Sequence, residues 1–192
     1  MAWVAAVWQL EEDAVDALGG GAMIRRPIAD QGSYANPAQF DAFIVGGSMV
    51  AVDALEHLGT RVWAWRVEEL IPKVGTEPCD VAMVSLMRRS PAITHAGFAE
   101  HWTRNHAPLA LRRHVGLHDY HQYVVDETLT ADTPEVDGIA LLGFPTRWEF
   151  DERFFDSDEG RAEIMADVAR FMDRPGRETT LVGPAGPMRA AG

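Results

Sequence analysis

Residues 40–68 read FDAFIVGGSMVAVDALEHLGTRVWAWRVE. Residues 40–46 form an apolar run closed by two glycines, which predicts a strand. Ser48 is a residue type that caps helices, and Gly59 is one that stops them, so 48–58 predicts a helix. Residues 60–68 alternate strictly, with Val62, Ala64 and Arg66 on one face and Trp63, Trp65 and Val67 on the other. That alternation predicts a second strand. Toward the N-terminus, 2–10 (AWVAAVWQL) predicts a strand and 11–18 (EEDAVDAL) a short helix with acids in its first turn. Residues 22–29 (AMIRRPIA) predict a strand that Pro27 confines to an edge, and 30–39 are turn-rich. The order over residues 2–68 is β-α-β-β-α-β, the ferredoxin-like unit.

After a connector at 69–80 (ELIPKVGTEPCD) the same order begins again. Strands are expected at 81–88, 118–126, 138–145 and 177–183. A helix is expected at 94–105, capped by Thr94 and ended before Pro108, with Phe98, His101, Trp102 and Asn105 on one face. Residues 147–155 and 159–173 read as one broken helix. The expected fold class is α+β. Two ferredoxin-like units, at 1–72 (degenerate) and 79–184, face their antiparallel sheets to form an α/β barrel within one chain. A frayed tail is expected at 185–192.

Composition narrows the function. The chain has 192 residues, 47% of them hydrophobic, and a net charge of −12. Nucleic acid and anionic membranes reward positive surfaces, so neither is an expected partner. A single cysteine, Cys79, excludes an internal disulfide framework and a cysteine-rich zinc site. The N-terminal segment lacks a basic region before its short apolar run, so no signal peptide is read and the expected compartment is the cytoplasm. Gly19, Gly20 and Gly21 follow a helix instead of opening one, and no phosphate-loop motif occurs.

The second half reads LMRRSPAITHAGFAEHWTRNHAPLALRRHVGLHDYHQY (residues 86–123), with VDGIALLGFPT at 136–146. Phe98-x-x-His101-Trp102, then His106-Ala107-Pro108, Gly116 to Tyr120, and Asp137-Gly138 resemble the EthD family of the dimeric α/β-barrel superfamily. The resemblance covers roughly residues 80–183. It implies a small-molecule site inside a ferredoxin-like barrel, and the superfamily includes isomerases, cyclases, dehydratases, monooxygenases and haem enzymes. The first half then stands in for the second subunit of a family dimer. A homodimer remains possible but is not needed to complete the barrel.

Six of the seven histidines lie between His95 and His121. Histidine suits acid–base work near neutral pH. The resemblance implies His106 as an active-site residue, and Pro108 restrains the chain after it. On strand 118–126, His118, Tyr120 and Gln122 share one face, and Asp119, His121 and Tyr123 share the other. Tyr120 with His118, or Tyr123 with His121, is therefore the partner pair of His106. Arg88 is a candidate anion anchor. Trp102, Phe144, Trp148, Phe98, Trp63 and Trp65 are candidate pocket walls, with Trp3 and Trp8 adding to an aromatic interior. His114 sits in a basic turn and reads as exposed. His101 and His106 are five residues apart, ~140° on an α-helix, which argues against a shared metal. No metal or cofactor is expected; haem held by His106 or His118 is the alternative. The acids at 126–173 read as a solvated helical face. The expected function is proton transfer on an aromatic, lactone or polyketide-like substrate by a His/Tyr pair (an isomerase, cyclase, dehydratase or decarboxylase). The alternatives are a cofactor-free monooxygenase and a non-catalytic ligand-binding or accessory protein.

Overall fold

The computed structural model describes residues 2–16, 22–32, 40–47, 51–173 and 178–187. The alternating run at 60–68 belongs to a longer strand, β4 (Arg61–Lys73), which takes up much of the expected connector. One stretch of β4 pairs antiparallel with β1 (Ala2–Trp8), and the rest pairs antiparallel with β6 (Asp119–Thr128). Register shifts between Arg66 and Val67 and between Leu70 and Lys73 let the strand pass Pro72, which has no N–H to give.

The remaining strands are β2 (Met23–Arg25), β3 (Ala42–Gly46), β5 (Val81–Met87), β7 (Gly138–Phe144), β8 (Thr179–Val182) and β9 (Gly186–Pro187). Their order is β8-β5-β7-β6-β4-β1-β3-β2-β9 in one sheet. The sheet curls until its ends meet. Pro27 bridges Val182, Ile28 N donates to Leu181 O at 3.1 Å, and Gly183 N donates to Arg26 O at 2.8 Å. Next to the bridge the Gln31 carboxamide takes the place of a strand. Its Nε2 donates to Leu181 O at 2.9 Å and its Oε1 accepts from Leu181 N at 2.8 Å. The edge position expected from Pro27 is thus the closing seam of the barrel. The expected tail also contributes, because Gly186 and Pro187 pair with β2.

Strand alternation separates three apolar layers. Val4, Phe43, Trp65, Val84, Ile139 and Leu141 come from both halves and fill the barrel interior. On the outer face of the first half, Trp3, Ile44 and Val62 pack with Leu55 and Leu58. Leu55 lies on the short helix α2 (Val52–Glu56). On the outer face of the second half, Tyr120 and Leu142 meet α3 (His95–Glu100), α4 (Ala107–Arg113), α5 (Arg147–Arg153) and α6 (Asp158–Phe171). Among the described residues, α1 (Glu12–Asp16) completes the helices, and the expected cap Ser48 lies outside them; α2 is preceded by Ala51 with no side-chain cap.

The helix expected at 94–105 does not stop before Pro108. It continues to Arg113 through a π-helical segment, His101–His106, with Pro108 in the first turn of α4. A proline in a first turn removes no needed donor. The π turn also moves Asn105 to the exposed side, away from Phe98 and Trp102. The broken helix is two helices, α5 and α6, and α6 is capped by Ser157, whose Oγ accepts from Gly160 N at 3.0 Å.

Because the closing ladder lies within one chain, the midpoint of chemical denaturation should not change over roughly a thousandfold dilution. Circular dichroism at the two extremes checks this; a midpoint that falls on dilution would show that a second chain completes the barrel.

Candidate active site

Strand β6 divides its polar residues between two compartments. Tyr120 and Gln122 face the helices, and Tyr123 faces the barrel interior. His121 is packed with Tyr123, ring centroids 6.0 Å apart, and is held by Glu69 Oε1 at 2.9 Å and Asp119 Oδ2 at 3.1 Å. Burial alone lowers the His121 pKa, but the two carboxylates outweigh it and the net direction is upward. Burial, with Glu69 nearby, pushes the Tyr123 hydroxyl far above its ordinary value. These two residues form a closed structural network and do not meet His106.

The other face gathers His106, Tyr120 and Trp102. His106 is 8% exposed, and its Nδ1 lies 2.9 Å from Asp167 Oδ2. His101 Nε2 lies 2.9 Å from Asp167 Oδ1, so one carboxylate holds two imidazoles. The five-residue spacing that separates them on an α-helix brings them to the same side of a π turn. The π register is visible in the backbone, where Ala107 N donates to Trp102 O. A carboxylate can only accept, so the ring N–H of His106 sits on Nδ1 and its Nε2 keeps a lone pair. Burial lowers the His106 pKa, and the hydrogen bond to Asp167 offsets this only in part. His106 is therefore neutral at pH 7.

Tyr120 is 1% exposed and its oxygen accepts twice, from Trp102 Nε1 at 3.2 Å and from Gln122 Nε2 at 2.9 Å. Its own proton is left for another acceptor. Burial pushes the hydroxyl up to about 12, so it stays protonated. Trp102 reaches this position because residue 138 is glycine. A Cβ there would sit 2.6 Å from Trp102 Cζ3 and 3.1 Å from the Phe98 ring.

His106, Tyr120 and Trp102 line a cavity of about 320 Å³ between the sheet and α6. Met83, Met87, Met165, Met172, Phe154 and Phe155 form much of its wall. This is the small end of the range for ligand pockets, ~300–1,000 Å³. A more voluminous groove of about 790 Å³ runs past Glu68, Glu69, Asp126 and His95, but His106 and Tyr120 are not among its lining residues.

By sequence, the EthD domain model matches residues 90–175. That stretch, a little under half of the chain, is similar to the EthD domain. A comparison with curated proteins found no sequence match. Among solved structures, the chain is similar to an anthrone oxidase-like protein (TM-score 0.58, 11% identity, 98% of this chain and 93% of that one). It is also similar to a putative monooxygenase from Lactobacillus acidophilus NCFM (0.51, 9%, 99% and 97%). A third is a mutant chlorite dismutase from Candidatus Nitrospira defluvii (0.58, 12%, 97% and 91%). At these identities the likeness shows the fold, a ferredoxin-like α/β barrel.

The sequence-derived candidates divide cleanly. His106, Tyr120 and Trp102 come together. His118 does not join them: its Nε2 accepts from Thr76 N at 3.0 Å and Glu77 N at 3.1 Å, tying down the inter-strand connection. Arg88 is at the rim, bonded to Glu135 O and paired with Glu178. Phe144 and Phe98 are fully buried core rings, and Trp148 is 61% exposed. Trp63 and Trp65 belong to the barrel interior, where Trp63 meets Trp8 at 4.7 Å under the Arg61 guanidinium. Haem does not fit the residues present, since His118 is committed to backbone and the space beside His106 is smaller than a porphyrin. Among the described residues no group of three or more His, Cys, Asp or Glu side chains is placed to hold a metal ion, and no helix is long and apolar enough to cross a membrane.

Sequence reasoning missed Asp167 and misplaced His114. Asp167 is 8% exposed on an otherwise apolar stripe, Ile164–Asp167–Val168–Phe171. An acid at core spacing was the signal. His114 is 4% exposed, lines the cavity, and its Nδ1 donates to Phe154 O at 2.6 Å. Burial lowers its pKa to about 4. The unfolded imidazole binds a proton near pH 6.5, so the stability from neutral His114 is complete above that value and is lost as pH falls toward 4. The loss is roughly 3 kcal/mol. His106 acts in the same direction. His121 acts oppositely, since its stabilisation is present at low pH and is lost above its raised value. Urea midpoints from pH 7 to 4 should fall in the native protein and fall less steeply in His114→Gln.

Proposed function

We propose that the EthD domain is a proton-transfer enzyme acting on a small aromatic, lactone or polyketide-like molecule held between the sheet and α6. The observation that carries this reading is the neutral His106 imidazole, with a lone pair on Nε2, and the unspent phenolic proton of Tyr120 lining the same apolar cavity. His106 Nε2 takes a proton from carbon next to a carbonyl. The Tyr120 hydroxyl donates to that carbonyl oxygen as negative charge develops on it. Asp167 keeps the proton of His106 on Nδ1 and stabilises the imidazolium that forms. Returning the proton to another atom gives isomerisation; loss of water or ring closure from the same enolate gives dehydration or cyclisation; in a decarboxylation, loss of carbon dioxide from a β-keto acid itself leaves the enolate, which Tyr120 stabilises and which then takes up a proton. The apolar wall strengthens each of these interactions by excluding water.

The names of two similar structures, anthrone oxidase-like and putative monooxygenase, favour a second use of the same first step. A sufficiently electron-rich carbanion would itself reduce dioxygen, with His106 again the base. Oxygen uptake during turnover distinguishes this from the redox-neutral reactions.

Deuterium exchange at the acidic carbon of 2-tetralone, followed by proton NMR, tests the proton step without a known substrate. The native protein should accelerate exchange. His106→Gln should lose ~10²–10⁴ of that acceleration, and Tyr120→Phe ~10²–10³, the range for one oxyanion donor. Because the His106 pKa is lowered, the rate should hold below pH 6.5 before falling. Asp167→Asn should slow exchange while 2-tetralone still binds. Full activity in His106→Gln would leave a ligand carrier in place of an enzyme.

A further inference from the structure

We propose that the cavity takes an anionic aromatic ligand, a ring carboxylate in the simplest case, whose charge is anchored by Arg161. This rests on the cavity being the functional site, and it adds the substrate's charge. Arg161 is the one formally charged side chain among the lining residues once the two histidines are counted as neutral. Several arginines of this acidic chain are taken up by carboxylates. Arg113 is clamped by Asp156 and Glu163, Arg147 by Asp30 and Asp151, and Arg153 by Glu149. Among the described residues the Arg161 guanidinium has no hydrogen bond or ion pair.

Helix polarity makes the point sharper. Arg161 lies in the first turns of the 14-residue α6, after Asp158 and Glu159, where the helix dipole disfavours a cation. The same end favours an anion. A guanidinium left unpaired there, at the edge of an apolar cavity, fits a carboxylate that arrives with the ligand and pairs through two parallel hydrogen bonds. The ring then lies among Met87, Met165 and Phe155, with its reactive carbon toward His106 and Tyr120. The contrast with the groove beside Glu68, Glu69 and Asp126 is direct, since that surface repels the same ligand.

The test compares two probes of one shape, 2-naphthoate and 2-naphthalenemethanol, by tryptophan fluorescence quenching and ligand-observed NMR on the full chain. The native protein should bind the acid about 10- to 100-fold tighter than the alcohol, the value of a charge-assisted hydrogen-bonded pair. Arg161→Gln should erase that preference and leave the alcohol's affinity unchanged. Arg161→Lys should recover part of it. Equal affinity for the two probes in the native protein, or an acid preference that survives in Arg161→Gln, overturns the anchor while leaving the cavity intact. Binding of neither probe overturns the cavity and the anchor together. Tetralone exchange is uncharged chemistry, so its loss alone counts against the proton step and not against Arg161.

Discussion

The pairing of β4 with β6 is the constraint on which the molecule rests. It is the bond between the two halves, and it sets the register of β6. A strand cannot choose its faces independently. Once Val67 stands opposite Val125 inside the barrel, Tyr123 must point inward and Tyr120 and Gln122 outward to the helices. A slip of one residue would send His121 and Tyr123 to the helices and bury Tyr120 in the barrel. Tyr120 and the His121–Tyr123 network would exchange places. The thirteen residues of β4, with two register shifts, are therefore part of the proposed site even though none of them lines its cavity.

The site depends equally on a break in helical regularity. His101 and His106 grip opposite oxygens of Asp167 only because the chain between them makes a π turn. That grip ties α6 to the helical run that carries Trp102. Trp102 in turn reaches Tyr120 over Gly138, where any side chain would collide with the indole. Gln122 braces the same region from the sheet, donating to Trp102 O at 3.2 Å as well as to Tyr120. His106 and Tyr120 are thus fixed from different elements by groups that are themselves hydrogen-bonded. Little reorganisation is then needed when charge develops.

Much of the fold was legible because period-two and helical patterns are local. Val62 and Ala64 separate from Trp63 and Trp65 in the barrel as their alternation requires. The choice between Tyr120 and Tyr123 was not legible, because both faces of 118–126 are polar-aromatic and only partner strands decide which is inward. His118 looked catalytic for its neighbours, yet its lone pair serves two backbone N–H groups that sequence does not bring near it. His114 looked exposed among arginines, and tertiary packing against Phe154 and Phe155 buried it. The ~140° separation of His101 and His106, which argued against a shared metal, was the right geometry for an α-helix. That geometry does not hold here, because hydrogen-bond register inside a helix leaves no periodic trace over a single turn.

That one turn separates inheritance of the fold from inheritance of the chemistry. A π segment is an α-helix with one extra residue, so loss of any single residue between Glu100 and Ala107 could restore ordinary helical spacing with both flanking helices kept. Such a chain would keep its barrel, its aromatic core and its cavity. It would swing one of the two imidazoles away from Asp167 and release the other from a fixed tautomer. In this chain, helix length at this point, as much as the presence of the histidines, decides whether Asp167 holds both imidazoles.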